Sequence, residues 1–211
     1  MCDAHRYGFE TARAYADARR AELMEALQTG QIHSPELLQL EVPDQETPFH
    51  LPNVARWICR RILEHRPEVI LTHPYEGGHP DHDACAFSVR AACRMSDFSG
   101  QLCEFTSYHA SENGFRSGEF LPAKGSAVVT YHLTEEERER KHKMFRCFHT
   151  QREVLRQFEI DHESFRAAPD YDFYLPPHGG PLYYERFGWR VDGKQFCELA
   201  KGASRELGFS V

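Results

Sequence analysis

The feature that most constrains this chain is a change of register in its middle. An apolar run, Val69-Ile70-Leu71, leads straight into Thr72-His73-Pro74-Tyr75-Glu76-Gly77-Gly78-His79-Pro80-Asp81-His82-Asp83, and a helix-like run with Ala84, Phe87, Val89 and Ala91 comes next. A strand that empties through a glycine pair into a helix is the unit from which layered α/β folds are built. In such folds ligands gather at the carboxyl ends of the strands. Two histidines three residues apart at that place, with an aspartate between them, are positioned to bind a metal and polarise a carbonyl.

The flanking sequence continues the alternation. Residues 9–29 carry Phe9, Ala12, Ala16, Leu23 and Leu27 at helical spacing, and Gly30 is a stop signal. Leu37 to Val42 reads as a short strand running into Pro43-Asp44. Residues 53–66 place Val54, Trp57, Ile58, Ile62 and Leu63 on one helical face, closed by Pro67. Glu68 to Thr72 reads as a buried strand, 75–82 as a loop and 83–95 as a helix capped by Asp81 or Asp83. Leu102 to Tyr108 and Ala127 to Tyr131 read as strands. Thr134-Glu135-Glu136-Glu137 opens a charged helix to about Phe158 whose Met144, Phe148 and Leu155 face the core. Pro169 to Trp189 is loop-like but rich in aromatics; Tyr171, Phe173, Tyr174, Tyr183, Tyr184 and Trp189 either stack on a sugar or form core, and core is the favoured reading. The expectation is an α/β layered fold with a largely parallel sheet, Asp44 and the 73–82 loop sharing one rim.

Composition excludes several classes. The 211 residues carry a net charge of −7 with scattered basic residues, so nothing recommends nucleic acid or an anionic membrane as partner. No apolar run approaches a membrane span, and the N-terminus has no secretory pattern. Seven cysteines, odd in number and without a CxxC pair, argue against a disulfide framework and a thiolate zinc site. The reading is one domain over residues 1–211, cytoplasmic and reduced.

Residues 72–85 resemble the second signature of the PIG-L/LmbE family of metal-dependent N-acetylglucosaminyl deacetylases. Further stretches agree in order: Ala14 to Leu27 with the family's arginine- and alanine-rich helix, Leu40 to Glu46 with a turn ending in Pro-Asp, Tyr131 to Gln151 with a late helix, and Pro176 to Trp189 with a C-terminal segment of a bacterial branch. The resemblance implies a Rossmann-like three-layer sandwich with a mostly parallel sheet. The family's Ala-His-Pro-Asp-Asp-Glu string, which supplies two metal ligands and the general base, does not occur in this sequence. The chain therefore reads as N-terminally truncated, missing the first strand–helix–strand.

By the same resemblance His82 corresponds to a zinc ligand, His79 to the imidazolium that stabilises the oxyanion, and Asp81 to its carboxylate partner, with helix capping as the plainer role for Asp81. Asp44 and Arg6 correspond to sugar-binding positions, against turn capping and an exposed chain end. Gly77 and Gly78 allow close approach to a ligand, as any loop glycine pair would. Tyr75 can offer a hydroxyl to the oxyanion, and His178 lies in a segment at the site's mouth. The resemblance thus implies a zinc-dependent N-deacetylase-like protein acting on an N-acetylated sugar or glycoconjugate, inactive or impaired in this chain. The alternatives are a non-catalytic carbohydrate-binding remnant and a chain with no stable domain. A homo-oligomer is compatible with each.

Overall fold

The structure is a computed structural model that describes residues 3–112 and 114–209, with the side chains of Asp3 and Arg6 outside the description. Two compact units emerge: residues 1–40 with 131–163, and residues 41–130 with 164–211. The α/β class expected from the sequence is the one the chain adopts.

In the first unit, helix α1 (Ala12–Thr29) starts at Thr11, whose hydroxyl accepts the Ala14 N–H. It packs against α4 (Glu135–Cys147), opened by Thr134 through a reciprocal capping box with Glu137. Gly30 ends α1, and a Cβ on it would stand 2.8 Å from the flexible end of the Met144 side chain, which would have to shift. The charged helix expected to reach Phe158 stops at Cys147. After it come a 3-10 turn (His149–Gln151) and the short α5 (Arg152–Leu155). The cause is a distant carboxylate: buried Glu22 accepts both the Thr150 N–H, at 2.8 Å, and its hydroxyl, at 2.7 Å. Met144, Phe148 and Leu155 end half-buried.

The second unit holds the site. Helix α2 (Leu51–His65) and helix α3 (Pro80–Met95) pack along each other, burying Leu51, Val54, Ala55, Phe87, Ala91 and Ala92. α6 (Gly193–Leu207) adds Phe196, Ala200 and Ala203 to the same core. A four-stranded sheet runs in the order β1 (Val69–Thr72), β2 (Gln101–Phe105), β6 (His162–Ala167), β5 (Val128–His132). β1 and β2 are parallel; β6 joins β2 antiparallel. β3 (Tyr108–Ser111) and β4 (Gly114–Ser117) form a separate antiparallel hairpin.

Three local expectations are corrected. Leu37 to Val42 forms no strand: the stretch has no regular secondary structure, and Leu38 is 44 % exposed. β1 is not buried on both faces. Val69 and Leu71, which share one face, are each about half exposed, and the strand stands at the edge of the sheet. The cap of α3 is neither Asp81 nor Asp83 but His79, whose Nδ1 accepts the Asp81 N–H at 3.1 Å. The six described cysteines are free thiols. No described helix is long and apolar enough to cross a membrane.

Candidate functional site

The loop between β1 and α3 carries two sets of side chains, one turned inward and one outward. The inward set begins with Asp83, fully buried, whose Oδ1 accepts the Glu76 and Gly77 N–H groups at 3.2 and 3.0 Å. Burial pushes its carboxyl up to about 8, and those N–H bonds and the Tyr184 hydroxyl only partly oppose it. Glu76, 2 % exposed, accepts the Leu121 N–H at 2.6 Å and faces the Arg166 guanidinium at 3.4 Å. Arg166 stands across the strand pair from Glu104 and binds it at 2.9 Å; Tyr171 donates its hydroxyl to the same carboxylate. The guanidinium is thereby enclosed by two carboxylates, the Leu121 carbonyl at 2.8 Å and the Phe120 ring at 4.1 Å. Such a group is costly to bury and costly to disturb once buried.

The glycines belong to this anchoring. A Cβ on Gly78 would fall 1.9 Å from the Tyr108 carbonyl oxygen, and one on Gly77 (φ +70°) would meet Leu182 at 2.6 Å. The close approach they permit in this structure is to neighbouring chain. Tyr75 is likewise a core residue. It is 3 % exposed, gives its hydroxyl to the Leu175 carbonyl at 2.9 Å, and packs on Phe173 and Phe196. The structure thus takes it out of the role of oxyanion donor.

The outward set is a cluster of imidazoles and carboxylates. His73 and His82 lie flat on each other, centroids 3.9 Å apart, and His79 stands 5.2 Å from His82. Burial, with the neighbouring imidazoles adding to it, lowers His73 to about 4 and His82 well below the usual histidine range, so both rings are neutral at pH 7. His82 Nδ1 and the Ser107 hydroxyl are 3.1 Å apart. Asp81 is drawn away from His79: its two oxygens accept the Gln45 and Thr47 N–H groups at 2.8 and 3.1 Å, while His79 Nδ1 is 3.9 Å from its Oδ2. Burial raises Asp81, and those bonds offset part of the rise. What Asp81 does is hold the turn that presents Asp44. The Asp44 Oδ1 lies 4.0 Å from His79 Nε2.

This geometry fixes the tautomer of His79. Since Nδ1 accepts from backbone, the neutral ring carries its hydrogen on Nε2, aimed toward the Asp44 carboxylate. The ligand atoms of Asp44, His79 and Asp81 all lie within 4.8 Å of one another, the one such set among the described residues, and His82 is outside it. As a place for the zinc implied by the resemblance this set does not fit. With Nδ1 accepting the Asp81 N–H, neutral His79 has no nitrogen lone pair left, and two carboxylates alone fall short of a zinc donor set. His82 can free Nε2 for an ion if Nδ1–H donates to Ser107, but a single imidazole does not hold zinc.

An aromatic wall borders the cluster, and the sequence reading did not single it out as a unit. Trp189 stands edge-on to His79 at 4.9 Å, and Phe187 stacks on Trp189 at 5.0 Å. Tyr183 meets Phe187 at 5.1 Å and Tyr108 at 5.6 Å, and Tyr108 meets His82 at 5.4 Å. Phe173 and Tyr184, by contrast, are fully buried core. His178 is half-buried beside Gly179, its Nε2 without a hydrogen-bond partner. The Arg6 side chain lies outside the described residues.

Residues 3–93 match the family model PIG-L, described as GlcNAc-PI de-N-acetylase. Asp44 and the whole 73–83 loop fall inside that span. No curated protein matches the chain. Among solved structures it is similar to one titled the crystal structure of the zinc inhibited form of teicoplanin deacetylase Orf2. That similarity has 14 % identity and a TM-score of 0.47, over 75 % of this chain and 76 % of that one. Over residues 3–93, and with them the loop that builds the site, the chain is similar to the PIG-L family of deacetylases.

Proposed function

We propose that this protein binds an N-acetylated sugar or glycoconjugate at the Asp44–His79 rim as an N-deacetylase-type protein, and that amide hydrolysis by the 211-residue chain is impaired. The observation that carries this reading is the backbone N–H bound to His79 Nδ1, which leaves the ring hydrogen on Nε2. An Nε2–H held beside a carboxylate is a donor suited to an acetamide carbonyl and to the charge that grows on it during attack. Asp44, 47 % exposed, is an acceptor for sugar hydroxyls within the same reach. Asp81 fixes the turn that carries Asp44, which makes it a positioning residue.

Impairment is a consequence of the donor set. Deacetylation of this type draws on a metal to activate water and polarise the carbonyl, and the described residues do not make a closed zinc site. His82 is the residue through which weak zinc binding would pass. A single-domain organisation and a cytoplasmic setting, suited to six free cysteines, belong to the same proposal. The test is calorimetric titration with methyl N-acetyl-β-glucosaminide, with and without chelator. The expected result is binding indifferent to chelator and reduced about tenfold or more by His79→Ala, the scale of one charge-supported hydrogen bond lost in a shielded site. Binding that vanishes with chelator contradicts the reading.

A further inference from the structure

The aromatic wall closes on itself through the site's own histidines. His79, His82, Tyr108, Tyr183, Phe187 and Trp189 adjoin one another in a ring of six contacts with centroid separations of 5.2, 5.4, 5.6, 5.1, 5.0 and 4.9 Å. Three members come from a 3-10 turn and the residues just after it (Tyr183–Phe187, then Trp189). That turn is fastened to the glycine loop: the Tyr183 N–H donates to the Gly77 carbonyl at 2.9 Å, and Arg186 reaches the Ser111 and Gly114 carbonyls at 3.0 Å each. Arg186 also lies over the Tyr183 ring at 5.6 Å. The wall is therefore built into the loop region rather than hanging from it.

At its outer end the wall is open. Phe187 is 45 % exposed and Trp189 is only partly buried. Two large apolar rings stacked at the surface, continuous with the His79 imidazole, suit a partner with an apolar face. A pyranose ring has such a face, because its axial C–H bonds point along the ring normal and carry the slight positive charge that the aromatic π-cloud attracts. The Asp44 carboxylate, beside His79, stands where ring hydroxyls would find an acceptor. An open-chain amide has neither the rigid face nor fixed hydroxyls.

We propose that Trp189 and Phe187 form a sugar platform, and that the site selects cyclic pyranosides over acyclic N-acetyl compounds through it. This rests on the reading of the rim as an acetamido-sugar site and adds the group that sets specificity. Tyr183 and Tyr108 support the platform from behind, and Trp189 is the platform residue that touches His79.

The test uses intrinsic fluorescence. The chain has two tryptophans, and Trp57→Phe, on α2, leaves Trp189 as the sole reporter. Three probes are titrated: methyl N-acetyl-β-glucosaminide, methyl β-glucoside, and N-acetylglucosaminitol, which keeps the acetamide and hydroxyls but has no ring. The expected result is a saturable emission change with the first probe and about tenfold weaker binding of the alditol, the scale of one stacking contact. By calorimetry Trp189→Ala and Phe187→Ala should each weaken the glycoside and leave the alditol unchanged. Phe187→Ala is the decisive variant, since Phe187 reaches His79 only through Trp189 and its loss separates platform from imidazole. Equal affinity for ring and alditol overturns the proposal. So does unchanged glycoside affinity in Phe187→Ala, or no binding of any probe. If the glucoside and the N-acetylglucosaminide bind equally, the platform stands and the acetamide reading of the rim fails.

Discussion

Glu76 and His79 sit three residues apart in one loop and live in different worlds. Glu76 is sealed in the interior, its carboxylate taken by the Leu121 N–H and faced by the Arg166 guanidinium that also binds Glu104. His79 faces the half-exposed Asp44 carboxylate across 4.0 Å at the open rim. The two layers divide the labour: the buried one commits its polar groups to the loop's shape, while the rim holds polar groups where a ligand can reach them. A loop with every polar group sealed inside would have nothing to offer a ligand, and one without the anchored layer would not hold its shape.

The contrast breaks first at Arg166. Arg166→Ala leaves Glu76 and Glu104 buried without a counter-charge and should cost about 3–5 kcal/mol, read from urea unfolding midpoints. A loss below about 1 kcal/mol would mean the network is ornament. Asp83 gives a second, pH-linked effect. Its carboxyl is raised to about 8 in the fold, against an ordinary 3.8. The folded state therefore favours the protonated form. Its stabilising contribution is complete below about pH 4 and is lost as pH climbs to about 8, at up to about 1.4 kcal/mol per pH unit. Asp83→Asn, which keeps the Oδ1 acceptor, should flatten that slope in melts run from about pH 5 to about pH 8; an unchanged slope assigns it to another group. Smallest is the stability effect on the rim. His79→Ala removes one N-cap acceptor from α3 and should cost about 1 kcal/mol or less, while ligand binding collapses. A large loss of stability there would merge the two layers and end the comparison.

Much of this arrangement is legible along the chain, and the illegible part has a common cause. The apolar run, the glycine pair and the helical periodicity after Asp83 announce β1, the loop and α3, because each signal is local. α6 also had its signals, unread: Asp192 caps it, Gly208 (φ +81°) ends it, and Phe196, Ala200 and Ala203 keep helical spacing. The stretch from Leu37 misled because an apolar run becomes a strand only where a partner exists to pair with it. Arg166 carries no local signal at all. Its partners lie 62 and 90 residues away, and only the fold brings them together. The same holds for the aromatic ring, whose members come from three separate stretches of chain.

The most direct measurement is acetate release from methyl N-acetyl-β-glucosaminide by the purified 211-residue chain, with and without added zinc. This account predicts release at or near background, unchanged by zinc, alongside binding of the sugar. Robust zinc-stimulated release that disappears in His82→Ala would contradict it, because a working metal centre would then exist at an imidazole that the donor cluster leaves out.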